Sequence, residues 1–261
     1  MIEVRHLTRT YLSRSSPKSK ESFVSVNDVS FSLLENTPYA LVGESGSGKS
    51  TLAMMLAAIL PPTNGEILLD GNNIWALSPK ELRLMHGEVQ LVLQNSQGAL
   101  DPRRRIYESI AEPLRKLRHL TRQEEQHTVH DILHKVQLQD DILMRFPSEL
   151  SGGQQSRVCI ARAMALAPRL VIFDESVSGL DVTVQKKVLD LLLDLRQEYQ
   201  STFLFITHDI DVALYMADNI FVMKEGKIVE SITDAHGYDD FNHPYSRELI
   251  ESLPPKTPYN R

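Results

Sequence analysis

Three short segments of this 261-residue chain hold residues that can handle phosphate, a divalent cation and water. Gly43-Glu44-Ser45-Gly46-Ser47-Gly48-Lys49-Ser50 matches G-x-x-x-x-G-K-[ST] at every fixed position. Its glycines let backbone N–H groups converge on phosphate oxygens without a Cβ clash. A helix starting near Lys49 aims its positive end at the same anion. Lys49 is expected to reach the β- and γ-phosphates, and Ser50 to offer its hydroxyl to Mg²⁺. The expected nucleotide-binding stretch is thus Gly43, Glu44, Ser45, Gly46, Ser47, Gly48, Lys49, Ser50 and Thr51.

The second segment, Leu170-Val171-Ile172-Phe173-Asp174-Glu175, closes an apolar run with two carboxylates. The C-terminal ends of strands are where open α/β sheets bind ligands. Asp174 is expected to hold Mg²⁺, and Glu175 to polarise an attacking water. The third segment is Leu150, Ser151, Gly152, Gly153 and Gln154. It precedes a helical pattern, so Ser151 and the amides of Gly152 and Gly153 can form a second anion nest. One chain already has a full phosphate site. A second nest has a use if it faces the γ-phosphate held by another subunit.

The elements that must position these groups read as an α/β core. Ile2, Val4 and Leu7, then Val24 to Leu33, alternate as strands, with a polar loop at Ser13 to Lys20 between them. Tyr39-Ala40-Leu41-Val42 reads as a buried parallel strand feeding the phosphate loop. A helix is expected from Lys49 to Leu60, ended by Pro61-Pro62. Gly65 to Asp70 is strand-like, with Ile67 and Leu69 on one face, and Val89 to Leu93 is a further strand. From about Asn95 to Phe146 the chain is rich in Arg, Glu, Gln and His with helical spacing, as in a helical insert. Core elements resume with a helix (Ser156 to Leu166), a strand (Leu170 to Phe173), a long helix (Thr183 to Tyr199) and a strand (Thr202 to Ile206). A hairpin is expected around Lys224-Glu225-Gly226-Lys227. The last stretch, with Pro244, Pro254, Pro255 and Pro258, reads as an appended tail.

Composition narrows the classes. The chain is 42% hydrophobic and 24% charged, which suits an ordinary globular protein. A net charge of −6 argues against nucleic acid as the main partner. The single cysteine, Cys159, excludes a disulfide framework and fits a reducing cytoplasm. The apolar stretch from Leu52 to Leu60 is far shorter than the ~20 residues of a membrane span. No secretory leader pattern opens the chain. Any service to a membrane is expected from its cytoplasmic side, through another chain.

Taken together, these motifs resemble an ATP-binding cassette (ABC) ATPase from about Val4 to Ser231. The resemblance implies an α/β P-loop NTPase core of the ABC type with an N-terminal antiparallel β subdomain and an inserted helical subdomain. It places the ATPase domain at 1–233, the helical subdomain at about 95–157, and a tail at 234–261. It also implies roles for weaker positions. Gln94 matches the glutamine that touches Mg²⁺ and the water, on a loop facing the membrane partner. Ser178-Gly179-Leu180-Asp181 matches the D-loop, with Asp181 working across a dimer interface. His208 matches the switch histidine at the γ-phosphate, and Tyr11 the aromatic that stacks on adenine. Two positions depart from the family pattern: Ser176 stands where proline or alanine is usual, and Ser156 where glutamine is. Neither removes a catalytic group.

Asp101-Pro102-Arg103 and His243-Pro244-Tyr245-Ser246-Arg247 further resemble the oligopeptide/dipeptide/nickel importer ATPases. That resemblance implies ATP and Mg²⁺ as cofactors, and a peripheral place on the cytoplasmic face of the inner membrane. The implied partners are a sister ATPase, two permease subunits and, indirectly, an extracytoplasmic solute-binding protein; a homodimer is an open alternative. Many peptide members carry a C-terminal cysteine cluster, and its absence adds weight to the nickel or metal-chelate branch. Competing readings are a non-transport ABC ATPase of translation or DNA repair, a P-loop kinase or GTPase, and an exporter or defence-peptide subunit. The single cassette and the short insert argue against the first; Leu150 to Gln154 and His208 argue against the second. His127, His130 and His134 fall at helical spacing and read as a solvated face rather than a metal site. Arg103-Arg104-Arg105 reads as a basic turn or a partner contact, and Cys159 as a small packed residue.

Overall fold

A computed structural model of the chain describes residues 1–12, 22–93, 96–118, 120–177 and 181–252. In chain order the strands are β1 (Ile2–Leu12), β2 (Ser22–Leu33), β3 (Pro38–Val42), β4 (Asn64–Leu69), β5 (Asn72–Asn73), β6 (Val89–Val92), β7 (Leu170–Asp174), β8 (Thr202–Thr207), β9 (Asn219–Lys224) and β10 (Lys227–Ile232). The helices are α1 (Lys49–Leu56), α2 (Pro79–Glu88), α3 (Ser96–Ala99), α4 (Ile106–Leu117), α5 (Arg122–Lys135), α6 (Gly152–Met164), α7 (Val182–Tyr199), α8 (Ile210–Met216) and α9 (Pro244–Glu251). The chain divides into two units, residues 1–82 with 204–261, and residues 83–203.

In the first unit, β1 pairs antiparallel with β2 on one side and β4 on the other, giving the order β2-β1-β4-β5. A second group of strands runs β10-β9-β3-β8. There β3 is parallel to β9, with Tyr39 opposite Asn219 and Val42 opposite Val222, and β9 and β10 form an antiparallel hairpin. The hairpin turn has positive φ at both Glu225 (47°) and Gly226 (81°), the combination that matches the twist of two paired strands. Strand β3 is buried from Tyr39 to Val42 and reads as an unbroken apolar run because both its faces are covered.

Two expectations for this unit need correction. Helix α1 ends at Leu56, short of the proline pair. Ala58 turns left-handed (φ 52°), and the N–H groups of Ile59 and Leu60 both return to the Met54 carbonyl at 2.9 and 3.1 Å, closing the helix end. Strand β4 puts Ile67 and Leu69 on one face, and Leu68 on the other face is buried too, because β4 lies between two strands and carries the helical turn Ile74–Ala76 against it. The stretch expected as a tail is, over 234–252, part of the packed body: Ala235, Phe241, Tyr245 and Ser246 are all buried.

In the second unit, β6 runs parallel to β7, Val89 opposite Leu170 and Val92 opposite Phe173. Among its described residues from 96 to 146 there are helices and no strand. Helix α5 opens with a capping box, Thr121 and Glu124 each bonding the other's backbone N–H. The half-polar interior between α4 and α5 is organised by Glu125, which accepts from the Tyr107 hydroxyl (2.9 Å) and from Arg115 Nε and Nη2 (both 2.7 Å). The Arg115 hydrogen bonds hold the Glu125 carboxyl below its usual range despite its burial. Helix α7 buries Val188, Leu189, Leu191, Leu192 and Leu195 along one stripe, while Val184 is only half-buried. Helix α6 starts at Gly152, four residues before the expected Ser156, because Ser151 caps it.

The loop Ser13 to Lys20, Gln94 with Asn95, Ser178 to Leu180, and residues 253–261 lie outside the described residues.

Candidate phosphate-binding and catalytic residues

The phosphate loop leaves β3 at Gly43 and enters α1 at Lys49. Its shape demands glycine at two points for reasons of space. A Cβ on Gly43 (φ 154°) would sit 2.2 Å from the Met223 carbonyl oxygen of β9, and one on Gly48 (φ 108°) 2.1 Å from the Ser25 carbonyl oxygen of β2. Gly46 differs: its φ of 83° needs glycine, yet a Cβ there would meet nothing within 4 Å. The loop is therefore pressed against strands at both ends and open in its middle, where Glu44, Ser45 and Gly46 are exposed.

The Lys49 ammonium lies within this loop. Lys49 is 4% exposed, and its Nζ donates to the carbonyl oxygens of Gly43 and Glu44, both at 2.7 Å. No side chain caps the start of α1, where Gly48 is left-handed, and the first turn of a helix is where backbone N–H groups and the helix dipole favour an anion. Ser50 is exposed on that first turn, and Thr51 accepts a hydrogen bond from the Ser25 hydroxyl at 3.0 Å. The β9–β10 turn braces the loop from below: the Gly226 N–H donates to the Ser47 carbonyl at 2.9 Å, and its own carbonyl accepts from Asn27 at 2.8 Å.

His208 follows the last residue of β8 and is exposed. Its turn is fixed by its neighbours. The Thr207 hydroxyl accepts from the Asp209 N–H at 3.0 Å, and Asp209 caps α8 by accepting from Asp211 and Val212. Tyr11 stands on β1 opposite Phe23, half-buried, with the Arg9 guanidinium 4.9 Å from its ring centroid. One face of that ring is therefore engaged by a cation.

In the second unit, Asp174 ends β7 and is 7% exposed. Glu175 follows it with a left-handed backbone (φ 47°) and is half-buried. A glutamate at positive φ is uncommon, and such strained residues gather at functional sites. The two departures from the family pattern turn out to meet: the Ser156 hydroxyl donates to the Ser176 carbonyl at 3.4 Å, both residues buried. This ties α6 to the segment just after Glu175.

Ser151 and Gln154 form a reciprocal capping box. Ser151 Oγ accepts the Gln154 N–H at 3.3 Å, and Gln154 Oε1 accepts the Ser151 N–H at 2.9 Å. Leu150 is buried beneath, and Gln155 donates to the Pro147 and Leu150 carbonyls, which fixes the approach to the helix. Ser151 and Gly152 are exposed, and a Cβ on Gly152 would meet nothing within 4 Å. First-turn N–H groups of a helix have no acceptor inside it, so this end can take an anion from outside. Asp181 is exposed and caps α7 by accepting the Val184 N–H at 3.0 Å.

The remaining candidates have local partners. His130 and His134 both meet the Asp140 carboxylate at 2.9 Å, and among the described residues no cluster of His, Cys, Asp or Glu forms a metal site. Arg103 and Arg104 pair with Asp101, and Arg105 bonds the Met144 carbonyl. Cys159 is buried, which pushes its thiol up and away from reactivity. Among the described residues no helix is long and apolar enough to cross a membrane. What the sequence did not flag for this site is Tyr245, whose hydroxyl reaches the loop at Glu44.

A family model described as "ABC transporter" matches residues 26–178. The chain is 37% identical to a di/tripeptide transport ATP-binding protein of Pseudomonas aeruginosa, covering 97% of this chain and 79% of that protein. It is 38% identical to a nickel import ATP-binding protein of Brucella abortus, covering 99% and 97% of the two. A solved dimeric ATP-binding cassette in a post-hydrolysis state with ADP and Pi superposes with a TM-score of 0.80 at 29% identity, covering 90% of this chain and 99% of that one.

Proposed function

Since the chain belongs to the ABC transporter ATPase family, we propose that it is the ATP-binding and ATP-hydrolysing subunit of an importer. Its cargo would be peptides or nickel and other metal chelates, moved through partner membrane subunits. The observation that carries this is the presence of two separate anion-facing ends in one chain. One is the glycine loop closed around the buried Lys49, and the other is the capped helix start at Ser151. A single nucleotide uses the first from its own subunit and the second from a neighbour. Binding then favours a closed pair of ATPase subunits over an open one, which converts ligand binding into movement.

In this reading Lys49 and the amides of the loop and first turn of α1 hold the β- and γ-phosphates. Adenine stacks on the face of Tyr11 not taken by Arg9. Glu175 polarises the attacking water, His208 contacts the γ-phosphate, and Ser151 to Gln154 with Asp181 act on the neighbour's nucleotide. The Mg²⁺ ligands would be Ser50, Asp174 and Gln94. The first two are hard oxygen donors, a buried strand-end carboxylate and an exposed hydroxyl, which suits that ion. Bound there, the ion would offset charge on the phosphates.

The relatives named for peptide and nickel import support uptake over export. The partners we assign are a sister ATPase, two permeases and, through them, a solute-binding protein, with the chain on the cytoplasmic face of the inner membrane. The test is a mild-detergent pull-down of the tagged chain from native membranes, read by mass spectrometry. Two permeases, a sister ATPase and a solute-binding protein are the expected catch. Ribosomes or DNA-repair proteins without a membrane protein would overturn the transport reading.

A further inference from the structure

Helix α9 follows Phe241-Asn242-His243 and places Tyr245, 3% exposed, beside the phosphate loop. The Tyr245 hydroxyl accepts the backbone N–H of Glu44 at 3.2 Å. The Lys224 ammonium lies over the Tyr245 ring, 4.3 Å from its centroid.

The helix is itself anchored. Glu230 on β10 accepts the N–H groups of Asn242 (2.6 Å) and His243 (2.9 Å) and the hydroxyl of Ser246, which is fully buried. The loop is thus gripped at Glu44 by α9 and at Ser47 by the hairpin turn. Between the two grips, Ser45 and Gly46 are exposed.

We propose that Tyr245 is a positioning residue for nucleotide binding: its hydroxyl holds the first turn of the phosphate loop in the shape that binds phosphate. The proposal rests on the nucleotide-binding reading above. Tyr245 touches the loop backbone and would not touch the nucleotide. Its effect runs through the fraction of chains whose loop is competent, and apparent affinity scales with that fraction. Losing one such hydrogen bond lowers the equilibrium constant for that shape by roughly fivefold, and the fraction by up to as much.

The test compares the purified full chain with Tyr245→Phe, Tyr39→Phe and Lys49→Ala, by ADP titration calorimetry, ATP hydrolysis kinetics and thermal melting. Tyr39 supplies a matched control, because its buried hydroxyl accepts the Leu34 N–H at 3.0 Å and makes no bond to the loop. Tyr245→Phe is expected to raise the Kd for ADP and the KM for ATP together, by up to about fivefold, with kcat within about twofold of wild type. Tyr39→Phe should lower Tm and leave Kd and KM unchanged. The positioning role is overturned if Tyr245→Phe behaves like Tyr39→Phe, or if it lowers kcat at an unchanged KM. If Lys49→Ala binds ADP as tightly as wild type, the loop is not the nucleotide site and the function reading falls with the proposal. Lost binding in Lys49→Ala beside wild-type binding in Tyr245→Phe overturns the positioning role alone.

Discussion

Replacing Lys49 with alanine is expected to weaken ATP binding about 10- to 100-fold and to slow hydrolysis by at least about 100-fold. Two effects combine. The ammonium is the one formal cation within the glycine loop as its sequence stands, and charge-assisted hydrogen bonds to phosphate are the strong ones. Its Nζ also ties the Gly43 and Glu44 carbonyls together at 2.7 Å, so alanine loosens the loop as well as removing the charge. Lys49→Arg separates the two. It restores charge, but a planar guanidinium does not fit a pocket shaped for a compact ammonium that is 4% exposed. Arginine is therefore expected to fail nearly as badly as alanine. Full activity in Lys49→Arg would mean that charge alone suffices and that the loop's internal hydrogen bonds are incidental.

Glu175→Gln separates binding from chemistry. The amide is nearly isosteric with the carboxylate but cannot take a proton from water, so hydrolysis should fall by about 10²- to 10⁴-fold. ATP binding should stay within about threefold of wild type, because the phosphate contacts are assigned to residues 43–51 and not to Glu175. The backbone at Glu175 is left-handed, and glutamine accepts that conformation no worse than glutamate. The measurements are single-turnover phosphate release and equilibrium nucleotide binding. Wild-type turnover in this variant would remove Glu175 from the role of base.

How much of this was legible in the sequence depends on the range of the interactions. The phosphate loop is a local pattern: glycine at fixed spacings, then lysine, between an apolar run and a helix. The close approaches of Gly43 to Met223 and of Gly48 to Ser25 show why those spacings admit no substitute. Helix α6 starts four residues ahead of Ser156, and the sequence carries the mark of that start: Ser151 and Gln154 spell a capping box three residues apart. The end of α1 carried no such signal. Alanine at positive φ has no sequence mark, and the proline pair drew the boundary toward itself.

Tyr245 was out of reach for a different reason. It sits 201 residues from Glu44 along the chain, and the proline-rich surroundings suggested a tail. Only the packing of Phe241 and Ser246 shows that this segment belongs to the body carrying the loop. The contact between Ser156 and Ser176 is similar. Each looked like an isolated departure, and the structure joins them through one hydrogen bond.

A clamp shared between two subunits is tested most directly by the mass in solution of Glu175→Gln. The variant is mixed with its sister ATPase where one is recovered, and light scattering is recorded in Mg-ATP, in Mg-ADP and without nucleotide. A two-subunit mass is expected in Mg-ATP, lost in ADP and lost again when Ser151→Arg blocks the helix start. A mass that ignores the nucleotide, or a pair that forms as well with Ser151→Arg, would contradict a phosphate clamp shared between subunits.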